Sequence, residues 1–545
     1  MRVVVTAVTA LFAAFVVPAT LAADAAPKPK LIVAIAVDQL SADVFAEHRE
    51  YFTGGLKRLA GGVVFPSGYQ SHAATETCPG HSTILTGARP SRSGIIANGW
   101  IDLSLPREDK RVYCSEDPGQ PGSNSKAYVV SPKLLKVPTL GDRVKAVDPQ
   151  SRVVAVAGKD RSAVMMGGHH TDEIWFWKDG KFVTFADRSA PAPAIVGQVN
   201  ARVVDFLAKD PPPLTLPAQC QARSLPVPVV ADKQVGVIVD GKAGNPLSLN
   251  AMLELDRGTA DIAIGLIKEL KLGGGPSTDV LAIGLSATDY VGHIFGTSGA
   301  EMCVQMSALD AMIGSILGAL DATGIPYAVV LTADHGGHDL PERNKLRGFP
   351  KAERIEPGLK VDDIAPPLVK KFGLKLKEPL LYSDGPFGDW YVSRQIAPRL
   401  RARVIAAAKE KFLSHRQVQA VFTADELKKM PSPQPPVDEW SLAERVRASF
   451  DPARSGDMIV MLKPYVTPFS DPKVLVATHG SPWDYDRRVP IMFYRPGTVG
   501  FEQPLGIEAV DILPTLAALI DLKIPPDEID GRCLDLDAGA SSTCQ

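Results

Sequence analysis

The sequence predicts an α/β fold, with a mostly parallel central sheet sandwiched between helices and with insertions. Three observations carry this reading. Short continuous apolar runs recur along the chain, several of them end in polar residues of catalytic type, and amphipathic helical stretches lie between them. Strands alternating with helices imply a layered α/β arrangement.

Residues 31–37 are the first run, and they lead into Asp38. Residues 152–157 lead into Gly158, Lys159 and Asp160, residues 280–285 precede Asp289, and residues 327–331 precede Asp334 and His335. Residues 458–462 and 489–494 complete the candidate strands. Runs of this length suit strands buried on both faces. Between them, residues 300–320 set Val304, Leu309, Ile313, Ile316, Leu317 and Leu320 on one helical stripe. Residues 251–272 and 507–522 read as further helices, with Pro514 a kink or break in the second. Segments near 104–132, 211–228 and 343–436 are turn-rich or proline-rich and read as insertions into one catalytic domain over 23–545.

The N-terminus reads as an export signal over residues 1–22. Arg2 is followed by an apolar run broken only by Thr6 and Thr9, then by Pro18 and small residues around Ala22 and Ala23. The mature chain is then periplasmic or secreted, with no stable membrane insertion, since no later segment reads as long and apolar enough to span a bilayer. Export makes Cys78, Cys114, Cys220, Cys303, Cys533 and Cys544 disulfide candidates, and the short 533–544 loop is the favoured pair. A net charge of −2 gives no global attraction for nucleic acid, so no nucleic-acid partner is expected.

In α/β sheets of this kind, ligands gather at the carboxyl ends of the strands. Asp289 and His293 are four residues apart and share a face of one helical turn. Asp334-His335 follows a buried run and precedes Gly336-Gly337, which permits a turn there. Asp38 and the late Thr478-His479-Gly480 complete three carboxylates and three imidazoles. Mixed oxygen and imidazole donors suit zinc, whereas an all-oxygen set would suggest magnesium or calcium.

The segment Thr77-Cys-Pro-Gly-His81, then Thr86-Gly87, then Asn98, resembles the threonine-nucleophile branches of the alkaline phosphatase superfamily. The sulfatase branch departs here, since it has Cys or Ser at the position of Thr77 and Arg at that of His81. The resemblance implies two zinc ions, one on Asp289, His293 and His479, the other on Asp38, Asp334 and His335, with Thr77 as nucleophile and as a ligand of the second. His81 is expected to brace the turn. Cys78 is expected in a disulfide or as a buried thiol. Gly158-Lys159-Asp160-Arg161 resembles the exported, phosphate-irrepressible alkaline phosphatases, in which a K-x-R pair and the asparagine grip the phosphoryl group. By that match Asn98, Lys159 and Arg161 bind substrate, and Lys159 supplies charge where related enzymes use magnesium.

The resemblance therefore implies an alkaline phosphatase that hydrolyses small phosphate monoesters through a phosphothreonine, with broad specificity and weaker diesterase activity. A nucleotide pyrophosphatase/phosphodiesterase-like enzyme is the alternative, and the Lys159/Arg161 pair counts against it. Trp175 and Trp177 line the leaving-group pocket or simply pack; His169-His170 read as surface residues, and His338 as a brace or a surface residue.

Overall fold

In the computed structural model, which describes residues 27–545 apart from 232, 540 and 545, the buried apolar runs pair into a ten-stranded sheet. The export signal expected over 1–22 lies outside the described residues. The strands are β1 (Leu31–Val37), β2 (Val63–Tyr69), β3 (Val153–Ala157), β4 (Glu173–Lys178), β5 (Lys181–Val183), β6 (Asp279–Leu285), β7 (Tyr327–Thr332), β8 (Arg488–Tyr494), β9 (Phe501–Glu502) and β10 (Ile507–Glu508). Their order is β9-β2-β8-β7-β1-β6-β3-β4-β5, with β10 beside β2.

Every residue of β1, β3, β6 and β7 is buried, as strands covered by helices on both faces require. These four run parallel in close register: Ala36 lies opposite both Gly284 and Thr332, and Gly284 lies opposite Ala157. Parallel strands in register end on one level. Asp38, Gly158, Ser286 and the turn after Thr332 therefore emerge along one edge. The sheet is largely parallel, with antiparallel exceptions: β8 opposes both β7 and β2, and β5 opposes β4.

Three sequence expectations are corrected. Helix Ala300–Asp321 is long and apolar enough by composition to cross a membrane, contrary to the reading that no later segment is. Its apolar stripe is spent in the core, where Met302, Leu309, Ile313, Ile316 and Leu317 are buried, so its composition reflects packing. The helix expected over 507–522 starts later: β10 comes first, and the helix is Ile512–Leu519. Pro514 falls in its first turn, where no intrahelical N–H bond is lost, so it neither kinks nor breaks the helix.

Finally, the run at Met458–Leu462 is a strand but not of the central sheet. It joins Leu381–Ser383, Gly388–Val392 and Val418–Thr423 in a four-stranded antiparallel sheet. Met458, Val460 and Leu462 pack with Trp390 and Phe412, while Ile459 and Met461 pack with Val446 and Phe450. Burial on both faces by two separate clusters makes this strand as uniformly apolar as a parallel one. Disulfides join Cys78 to Cys114, Cys220 to Cys303 and Cys533 to Cys544.

Candidate active site

The common strand edge brings the acidic and imidazole residues together. Helix α1 (Thr77–Thr86) is buried along its whole length, helix α2 (Asp160–Gly167) follows β3, and helix α3 (Ala287–Phe295) follows β6. Asp289 and His293 sit one turn apart on α3, with His293 Nε2 3.2 Å from Asp289 Oδ1. His479 Nε2 reaches the same oxygen at 3.3 Å from the late turn. Beside them, His335 Nε2 lies 3.2 Å from Asp334 Oδ2, and the His335 ring stacks on His479 with centroids 3.5 Å apart. Asp38 joins Asp334 through His81, whose Nε2 is 3.2 Å from Asp38 Oδ1 and whose Nδ1 is 3.2 Å from Asp334 Oδ2.

The imidazoles divide into two kinds. His293, His335 and His479 each direct Nδ1 at a backbone carbonyl: Ala477 at 2.9 Å, Gly336 at 2.9 Å and Thr75 at 2.8 Å. An Nδ1–H held on a carbonyl leaves Nε2 with its lone pair, the form that ligates a metal. His81 also points Nδ1 at a carbonyl, that of Thr77 at 3.0 Å, but it lies between two carboxylates: burial opposes its charge, and Asp334 and Asp38 raise its pKa to about 10. His479 is lowered to about 4 by burial and by His335 beside it, which keeps it neutral.

The donor set fits divalent metal. Asp38 Oδ1, Asp289 Oδ1, Asp334 Oδ2 and His335 Nε2 are buried and meet only imidazole or carboxylate atoms, without a hydrogen bond, while Asp38 Oδ2 meets the Lys159 ammonium. Buried acceptors are rarely left so, and a cation is the partner that would satisfy several at once. Two clusters have ligand spacing: Asp289/His293/His479 and Asp38/His81/Asp334. Lys159 spans them, with Nζ 2.9 Å from Asp38 Oδ2 and 2.6 Å from Asp289 Oδ2.

Glycine lets α1 come this close to the ligand turn. A Cβ on Gly80 would lie 1.9 Å from the Asp334 carbonyl oxygen, so only Gly fits between them. Thr77 opens α1 beside this contact. Asn98 caps the helix from across a loop: its Oδ1 accepts the Cys78 N–H at 2.8 Å, while its own N–H donates to Glu76 Oε2 at 2.7 Å. That leaves the Asn98 amide NH2 to donate elsewhere. Arg161, in the first turn of α2, places Nη2 3.4 Å from Thr77 Oγ1.

The structure thus brings Asp38, Thr77, Asn98, Lys159, Arg161, Asp289, His293, Asp334, His335 and His479 into one site. Sequence reasoning missed the support for Arg161. Its Nη1 donates to Tyr113 Oη at 3.3 Å, and the hydroxyls of Tyr113 and Tyr128 both donate to Asp160 at 2.7 Å. The neighbour Cys114, bonded to Cys78 beside Thr77, was the one available signal. His338 is buried between Asp486 and Thr467 and acts as a brace. His169 and His170 are both exposed, as expected, and both clasp Asp142. Trp175 and Trp177 pack on the sheet edge near Glu173 and Phe182, away from the site.

Known proteins share this sequence and fold. The family described as type I phosphodiesterase / nucleotide pyrophosphatase matches residues 32–482. Alkaline phosphatase PhoD of Zymomonas mobilis is 52% identical over 516 residues, covering 94% of this chain and 89% of that one. Alkaline phosphatase PhoK of a Sphingomonas species is 52% identical over 526 residues, covering 95% and 93%. Among solved structures, wild-type alkaline phosphatase PafA has the same fold, with a TM-score of 0.79 at 24% identity over 94% of this chain and 99% of that one.

Proposed function

The chain belongs to the type I phosphodiesterase / nucleotide pyrophosphatase family, and we propose that within it this protein is an alkaline phosphatase acting on small phosphate monoesters. The observation that carries the reading is the cationic pair two residues apart, with Arg161 3.4 Å from the Thr77 hydroxyl and Lys159 between the two donor clusters. The non-bridging oxygens of a monoester carry about two negative charges and those of a diester about one, so two cations favour the monoester differentially.

Asp289, His293 and His479 would hold one zinc ion; Asp38, Asp334 and His335, with the Thr77 hydroxyl, would hold a second. Bound there, the two cations supply charge stabilisation for the attacking and departing oxygens. Thr77 Oγ1 forms a bond to phosphorus as the ester P–O bond breaks, and the alcohol departs on the Asp289/His293/His479 side. Asn98, Lys159 and Arg161 hold the non-bridging oxygens through both displacements. Water then attacks the phosphothreonine, returning the Thr77 hydroxyl and releasing phosphate. His81 keeps Asp38 and Asp334 in place by holding both carboxylates.

Three disulfides with no free cysteine among the described residues support a life outside the reducing cytoplasm, in the periplasm or secreted, with residues 1–22 as the export signal.

The test is side-by-side hydrolysis of p-nitrophenyl phosphate and its methyl ester by the zinc-loaded enzyme, with the metal counted by elemental analysis. We expect two zinc ions per chain and a kcat/KM for the monoester at least about 100-fold above that for the diester. A diester preference would turn the reading to a phosphodiesterase.

A further inference from the structure

A cavity of about 150 Å³ opens beside the nucleophile, large enough for a benzene-sized group. Glu76, Ala97, Gly99 and Gly480 line it, the chain neighbours of Thr77, Asn98 and His479. Its far wall comes from the four-stranded sheet and the turn joining its first two strands: Phe387, Asp389 and Tyr391, with Trp100 closing the side. Gly480 borders both walls: a Cβ there would stand in ordinary contact with Phe387 at 3.4 Å and Glu76 at 3.7 Å.

The charge on these walls is opposite to that on the phosphoryl side. Asp384 also lines the cavity, but Arg111 answers it at 2.7 Å. Among the described residues no cationic side chain bonds Glu76 or Asp389; each accepts one backbone N–H, from Asn98 at 2.7 Å and from Gly456 at 2.6 Å. Among the described residues these carboxylates are not part of a cluster with metal-ligand spacing. Aromatic faces next to unpaired carboxylates are instead the surroundings that hold an organic ammonium group.

We propose that this cavity is the subsite for the departing alcohol and that it selects phosphate monoesters of amino alcohols, seating their ammonium group between Asp389, Glu76 and the Phe387 and Tyr391 rings. The site is then bipolar: Arg161 and Lys159 take the phosphoryl anion, and the acidic cavity takes the cation at the other end of the same small molecule. This inference rests on the phosphatase reading, and the experiment separates the two.

The wild-type enzyme is given phosphocholine and 3,3-dimethylbutyl phosphate, its uncharged carbon isostere, with p-nitrophenyl phosphate as reference. We expect kcat/KM for phosphocholine to exceed that for the isostere by about tenfold. The ratio should fall toward one in Asp389→Asn and, as a second variant, in Glu76→Gln. Calorimetric titration with choline and with 3,3-dimethylbutanol reads the cavity without turnover, and choline should bind the more tightly in wild type only. A wild-type ratio near one, or a ratio unchanged by both substitutions, overturns the subsite. Absence of p-nitrophenyl phosphate hydrolysis alongside selective choline binding would sink the phosphatase reading and leave the subsite standing.

Discussion

Two halves of this site are held in place by different means. The donors Asp38, Asp334 and His335 follow the ends of strands whose register is set residue by residue, Asp289 and His293 sit on the helix that follows β6, and the imidazoles of His293 and His335 are anchored on backbone carbonyls. Asn98 and Arg161, by contrast, depend on side chains outside the central sheet: Glu76, Tyr113 and, through Asp160, Tyr128. The first half is a property of the sheet; the second is assembled on top of it. Damage to the first should therefore be all-or-none, and damage to the second graded.

The largest effect is expected at His479, which no strand carries but which shares Asp289 with His293. His479→Ala should lower kcat/KM by about three orders of magnitude or more and reduce bound zinc by elemental analysis. Full zinc content with near-normal turnover would break the idea that the donors act as one unit. Next comes Arg161→Ala, expected to cost about 100-fold on the monoester but about tenfold or less on the diester, with zinc content intact. An equal loss on both esters would mean that Arg161 orders the site without sensing the second charge. The smallest is Tyr113→Phe, which removes one hydrogen bond to Arg161 and one to Asp160. It should cost roughly three- to tenfold, mainly on the monoester. A loss as large as that of Arg161→Ala would show the second half to be as unitary as the first.

The same division governs what could be read from the sequence. Asp38, Asp334 and the Asp289/His293 pair were legible because each follows a buried apolar run, and parallel strands must end together. Thr77, Asn98 and Arg161 were identified through family resemblance; nothing local marks a loop asparagine as the cap of a helix twenty residues earlier. Tyr113 lay in a segment read as an insertion, and its partner Asp160 is distant in sequence. The 458–462 run was legible as a strand, yet its sheet was not. A five-residue apolar stretch reports burial on both faces without saying which layers do the burying. The acidic cavity was out of reach for a related reason, since a third of its wall comes from residues 384–391 in a proline-rich segment that no local pattern docks beside Thr77.

The contact at Gly80 limits how this chain can vary. With the Asp334 carbonyl 1.9 Å from where a Cβ would stand, even alanine must push helix α1 away from the Asp334 turn. Mutational paths through sequence space are closed at that letter, whatever the rest of the chain becomes. Gly197 and Gly318 lie in helices with no atom within 4 Å of an added Cβ, and those letters are open to drift. A library built to retune the substrate should spend its diversity on the walls of the cavity and hold position 80 constant.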